Sequence, residues 1–276
     1  MGKKRGKGKK PSHWILNGLF VLIIFIIKIP YFIVRGIFRL VKKIRKKEEV
    51  REVRGRRESM KAEFDDFDVV FNEQGDYNKW VNNFYRSDSK IGIILGARGS
   101  GKTAFGIKLL ENAHISCKKK CFAMGFHEKE MPSWINVVAN ISEIENNSLV
   151  LIDEGGVLFN SRDAMTSANK ILGELMLIAR HKNLSIIFIS QNSSNLDVNI
   201  LRQADFLVLK PSSLLQKEFE RKIIQKIYDR TGEQFEKFKD VKGLTYIYSS
   251  DFLGFVSNSL PSFWKMSISK SFSGNK

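Results

Sequence analysis

From Phe64 onward the chain alternates short, continuously apolar runs with longer stretches of helical periodicity. The runs Ile91–Leu95, Cys121–Gly125, Val137–Ala139, Leu149–Ile152, Ile186–Ile189 and Phe206–Leu209 are predicted strands, each lying between candidate helices. A strand that is apolar at every position, rather than at every second one, is buried on both faces. The pattern therefore predicts an α/β fold with a mainly parallel sheet covered by helices.

The N-terminal residues are patterned differently. Six Lys/Arg stand among the first ten residues, and Trp14 to Ile27 is then apolar apart from Asn17 and Gly18. Extended through Lys28 and Pro30 to Val34, the run has 21 residues, close to the roughly 20 that cross about 30 Å of hydrocarbon. Beyond it, Arg35, Arg39, Lys42 and Lys43 alternate with Ile37, Phe38, Leu40 and Val41 at helical spacing, as in a helix lying in the membrane interface. Both readings, a transmembrane and an interfacial helix, stay open. A cleaved signal peptide is disfavoured because no A-x-A-like site follows the apolar run. Twelve basic residues from Arg35 to Lys61, against six before the run, put the C-terminal side in the cytoplasm if the segment spans. Glu48 to Glu63 is charged throughout and reads as a solvated helical stalk or linker. Residues 1–63 are thus expected to be a basic membrane anchor with a stalk, and residues 64–276 a single globular domain.

Charge sharpens this division. The formal charge of +17 invites an anionic partner, but residues 1–63 hold 19 Lys/Arg against 5 Asp/Glu, and residues 64–276 hold 27 against 24. The nearly balanced globular part argues against a protein that wraps DNA over its whole surface. The two cysteines, Cys117 and Cys121, are too few for a disulfide framework. With His114 and His127 they offer four zinc-type ligands in one short stretch, at a spacing that fits no common finger.

Chemistry enters at three strand ends. Gly96-Ala-Arg-Gly-Ser-Gly-Lys-Thr103 fits G-x-x-x-x-G-K-[ST], follows a predicted strand and opens a helix through Ala113. In such a loop Gly96, Gly99, Ser100 and Gly101 let backbone N–H groups wrap the phosphates of ATP. Lys102 reaches the outer phosphates, and Thr103 ligates Mg2+. The strand Leu149–Ile152 ends in Asp153, suited to the magnesium shell, and Glu154, suited to take a proton from the attacking water. The strand Ile186–Ile189 leads to Gln191, a candidate sensor of the γ-phosphate whose bland alternative is a residue that merely starts a loop. Arg180, in the helix expected over 164–182, and Arg202 are candidate arginine fingers reaching a neighbouring subunit, although Arg180 also suits a helix C-terminus electrostatically.

Three segments, Leu151–Gly156, Ala179–Gln191 and Arg202–Phe206, resemble the Zot-like ATPases of filamentous phages within the FtsK/HerA superfamily. The resemblance extends over roughly residues 90 to 265, with Tyr246–Asp251 and Leu260–Trp264 similar to the ends of archaeal and viral members. It implies a RecA-like P-loop ATPase acting as a ring-forming homo-oligomer. Such a motor would move DNA for viral genome packaging, virion extrusion or conjugative transfer, with Gln191 as sensor and an arginine supplied in trans. An apolar segment placed before the ATPase is the order found in conjugative coupling proteins and FtsK rather than in the phage export proteins. An assembly or secretion ATPase that moves protein subunits without touching DNA is the alternative.

Overall fold

The computed structural model describes residue 35 and residues 38–87, 89–159 and 164–269. The chain divides into two compact units, Met1–Gly55 and Arg56–Lys276. In the first, residues 38–55 are helical (α1), and Phe38, Leu40, Val41 and Ile44 are exposed. The apolar run 14–34 lies outside the described residues. Among the described residues no helix is long and apolar enough to cross a membrane.

The second unit opens with helical residues 56–59. Residues 56–63, read from sequence as the end of the charged stalk, are built into this unit. Arg57 Nε donates to the Met131 carbonyl at 3.0 Å, Met60 packs against the core, and the Glu63 N–H donates to Glu111 at 3.0 Å.

Among the described residues, nine strands form one sheet. The strands are β1 (Asp68–Gly75), β2 (Ile91–Leu95), β3 (Lys120–Met124), β4 (Ile135–Val137), β5 (Ser148–Asp153), β6 (Ser185–Ile189), β7 (Phe206–Leu209), β8 (Thr245–Ser249) and β9 (Phe252–Ser257). Their order is β1-β9-β8-β7-β2-β6-β5-β3-β4. From β7 to β4 all pairs are parallel, whereas β7–β8, β8–β9 and β9–β1 are antiparallel. The six expected strands make up the parallel part, with β4 beginning two residues before the expected Val137. Buried Ile135 pairs there with Cys121.

Side chains along the central strands alternate between two apolar layers. Ile94, Leu149, Leu151, Ile187 and Ile189 face one layer, where α3 (Lys102–Cys117) contributes Phe105, Leu109 and Ala113. Ile93, Leu95, Val150, Ile152 and Phe188 face the other. There α5 (Ala164–Lys182) contributes Leu172, Leu175 and Ala179, and α8 (Lys222–Lys237) contributes Ile224 and Ile227. Every apolar position of these strands is thus covered, which is why they read as unbroken runs. The remaining helices are α2 (Tyr77–Arg86), α4 (Glu154–Phe159), α6 (Val198–Gln203), α7 (Leu214–Phe219) and α9 (Met266–Ser269).

The possible zinc cluster does not form. Among the described residues no group of three His, Cys, Asp or Glu side chains is placed to hold a metal. His114 stacks on Trp134 with ring centroids 4.7 Å apart. Cys121 is buried with its Sγ 3.6 Å from the Leu110 and Lys119 carbonyls, and burial pushes its thiol up to about 12. Packing has consumed these side chains.

Candidate functional site: a phosphate cradle at the strand ends

The loop between β2 and α3 lies at the carboxyl ends of the parallel strands, where open α/β sheets bind ligands. Its shape depends on close approach. At Gly96, with φ 147°, a Cβ would meet the Lys210 Cβ at 2.6 Å, and Gly101 takes the left-handed N-cap position of α3 with φ 91°. The loop is braced from β7. The Lys210 N–H donates to the Leu95 carbonyl at 2.8 Å, and the Ala97 N–H donates to the Pro211 carbonyl at 3.0 Å. Lys210 is itself buried, its Nζ donating to Gly243 O at 2.9 Å, Leu244 O at 3.3 Å and Asn258 Oδ1 at 2.8 Å. From α8, Tyr228 Oη donates to the Lys210 carbonyl at 3.0 Å.

Lys102 and Thr103 open α3. The Lys102 ammonium donates back to the loop carbonyls of Gly96 at 2.7 Å and Ala97 at 2.8 Å. Burial pulls it down to about 8, against the opposing attraction of Asp153, Glu154 and Glu220. Ser100 Oγ is buried without a hydrogen-bond partner. An orphaned hydroxyl inside a cradle of amides is what a phosphate-binding loop presents before its ligand arrives.

Asp153 ends β5, and its Oδ2 accepts from Thr103 Oγ1 at 3.2 Å. Its Oδ1 accepts the Gly155 N–H at 3.0 Å. Burial nevertheless pushes Asp153 above the usual carboxylate range, with Thr103 and Gly155 opposing. Two hard oxygens side by side at the mouth of a phosphate cradle suit Mg2+, which takes one or two protein oxygens and fills its octahedron with phosphate and water. The chain can pass here only as glycine, because a Cβ on Gly156 would lie 1.9 Å from the Gly125 carbonyl at the end of β3.

Glu154 is 4% exposed and starts α4. Ser190 Oγ donates to its Oε2, and the Gln191 N–H and the Asn195 side chain also bond the carboxylate. Burial raises Glu154 above its ordinary value while these donors pull the other way. The loop that carries them is fixed in turn: the Ser193 N–H donates to Glu220 at 2.7 Å, and Arg221 Nε donates to the Ser193 carbonyl at 3.0 Å.

These groups face one cleft of about 650 Å³, which Gln191 and Arg98 also line. The structure thus brings together Gly99, Gly101, Lys102, Thr103, Asp153, Glu154 and Gln191. Arg180 and Arg202 are exposed and stand outside the cleft. Ser190, Asn195 and Lys210 were not singled out from sequence. The only signal for Ser190 was its place directly after an apolar strand, and the lone basic residue after Leu209 was the only signal for Lys210.

The family model described as zonular occludens toxin (Zot) matches residues 113–209, a span that takes in Asp153, Glu154, Arg180, Gln191 and Arg202 and begins after the phosphate loop. Over that span the chain is similar to the Zot family. Similar solved structures include the DNA-packaging ATPase B204 of Sulfolobus turreted icosahedral virus. It is 16% identical with a TM-score of 0.41, covering 63% of this chain and 98% of its own. The genome packaging NTPase B204 of Sulfolobus turreted icosahedral virus 2, in complex with ATP-gammaS, is 17% identical with a TM-score of 0.44 over the same shares. The KaiC-like protein PH0186 of Pyrococcus horikoshii is 9% identical with a TM-score of 0.37, covering 53% of this chain and 82% of its own. No curated protein matches the chain in sequence.

Proposed function

We propose that this chain is a membrane-anchored ATPase that hydrolyses ATP in the Lys102–Glu154 cleft to translocate DNA, in viral genome packaging, virion extrusion or conjugative transfer. The observation that carries the reading is convergence. Lys102, Thr103, Asp153 and Glu154, from two separate stretches of chain, line one cleft at the strand ends. Lys102 exchanges its loop carbonyls for the outer phosphates, and backbone amides of the loop hold the rest of the triphosphate. Thr103 and Asp153 would hold Mg2+, which would supply neutralisation of the triphosphate's charge. Glu154 takes the proton of the attacking water, held in place for that task by Ser190 and the Gln191 amide. Gln191 reads the γ-phosphate from the cleft wall.

The cleft of one chain has no arginine among its described lining residues except Arg98. Exposed Arg180 and Arg202 are free to serve a neighbour, which supports a ring of identical subunits. The DNA substrate rests on the resemblance of Leu151–Gly156, Ala179–Gln191 and Arg202–Phe206 to the Zot-like ATPases, and the membrane anchor on the apolar run 14–34 and the basic residues around it, with the ATPase domain in the cytoplasm.

The variants Lys102→Ala and Glu154→Gln test the chemistry. Lys102→Ala is expected to lose tight ATP binding. Glu154→Gln is expected to bind ATP as the native protein does but release phosphate at least about 100-fold more slowly, the usual worth of a positioned base. Turnover by Glu154→Gln at the native rate would remove Glu154 from that role.

A further inference from the structure

The nucleotide cleft is not walled by the phosphate machinery alone. One side is formed by Leu260, Trp264, Met266 and Ile268, from the segment after β9. This segment reaches the site along one face of α3. Residues 104, 108 and 111 share that face at spacings of four and three. At its far end, the Ser262 N–H and Oγ donate to Glu111, which is fully buried and paired with Lys108 Nζ at 3.0 Å. Phe263 and Ile268 turn into the core, and Phe263 meets Trp134 edge-on with centroids 5.7 Å apart. Ser267 Oγ donates to Glu130 at 2.8 Å. Held at these points, the segment turns Leu260, Trp264 and Met266 toward the cleft beside Ala104, which also lines it.

The phosphate loop and the two carboxylates serve the charged end of a nucleotide, which leaves this apolar wall for the nucleoside. In a phosphate loop of this kind the amides cradle the α- and β-phosphates, and Lys102 with Glu154 marks the γ end. The nucleoside must leave the cradle at the α-phosphate end. Leu260 and Met266 are 59% and 63% exposed, and Trp264 is half-buried, so apolar side chains are presented to solvent beside a site that otherwise binds charge. We propose that Leu260, Trp264 and Met266 form the base-binding wall of the cleft, with Trp264 the platform on which the nucleobase stacks. This rests on the nucleotide reading of the cradle and adds the part of the site that recognises the nucleoside. Stacking on an indole face is tolerant of base identity, so ATP and GTP are both accepted on it.

The test compares two ligands on the full chain by calorimetry: the non-hydrolysable analogue AMP-PNP, and tripolyphosphate, which has the phosphates and no base. Trp264→Ala is expected to weaken AMP-PNP roughly 5- to 160-fold, the range spanned by base–aromatic stacking, and to leave tripolyphosphate unchanged. Trp264→Phe is expected to restore most of the affinity. Leu260→Ala and Met266→Ala alter exposed side chains that the core does not need, and each is expected to weaken AMP-PNP selectively. Unchanged AMP-PNP affinity in Trp264→Ala overturns the proposal. So does equal loss of both ligands in all three alanine variants, because a base wall cannot affect a ligand without a base. If tripolyphosphate fails to bind the native chain, or binds Lys102→Ala equally well, the cradle reading itself fails and the wall falls with it.

Discussion

Lys102 sits in an unusual balance for a lysine. Burial lowers it to about 8, and its hydrogen bonds go to the carbonyls of its own loop. A bound triphosphate favours the ammonium, so binding takes up a proton wherever the free protein has lost one. The sign follows: below pH 8 Lys102 is already charged and affinity is level, and above it each unit of pH is expected to weaken ATP binding, up to about tenfold. Titration of AMP-PNP affinity between pH 6.5 and 9.5 checks this, and Lys102→Ala should show a flat, weak profile. Glu154 has the opposite sense. Its carboxyl is raised by burial and lowered by Ser190, so Ser190→Ala should raise it further and move the acid limb of kcat to higher pH. A limb that stays in place would mean that Ser190 does not hold the base. Lys102, Thr103, Asp153 and Glu154 were legible in the sequence because each lies in an uninterrupted motif next to an apolar strand. Ser190 and Trp264 were not, because their partners lie far away along the chain and no local spacing encodes the contact.

The P-loop helix and the strand ends are held by elements whose own sequences advertise nothing. Lys210 ends the β7 segment as a buried amine, pulled down to about 7 by burial and surrounded by three oxygens, and through its backbone it holds Leu95 at the start of the loop. Lys210→Met is expected to orphan buried acceptors and cost about 1–3 kcal/mol, seen as a lower urea midpoint at an unchanged slope. An unchanged midpoint would show that water replaces the amine. The parallel strands were legible because both faces are buried, which leaves an unbroken apolar run. The antiparallel β1 was not, since Asp68–Gly75 is exposed at seven of its eight positions and its three apolar residues, Val69, Val70 and Phe71, are too few to read as a buried run. β8 and β9 carry Thr245, Tyr246 and Tyr248 opposite Val256, Phe255 and Leu253, a mixed pattern that only pairing resolves. The shift of β4 has a similar origin, because a three-residue edge strand offers too few positions for its pattern to fix a register.

At the scale of the whole molecule, charge and fold are divided between two units. The excess of basic residues belongs to the N-terminal part, whereas the unit from Arg56 onward carries the complete cradle and its own two-layer core. Removing residues 1–47 should therefore leave a folded domain that binds ATP with native affinity, and full-length protein should pellet with membranes. Loss of ATP binding on truncation would show that the N-terminal unit completes the site. Motor function is the larger claim, and it differs from an ATPase moving protein subunits in one respect that a single assay reads. Phosphate contacts to DNA release counterions, so any stimulation that depends on them falls steeply with salt. The decisive measurement is steady-state phosphate release by the full chain with and without double-stranded DNA, from 50 to 300 mM salt. Hydrolysis that DNA stimulates at low salt, that loses the stimulation as salt rises and that Glu154→Gln abolishes is the predicted result. Hydrolysis indifferent to DNA at every salt concentration would contradict the account.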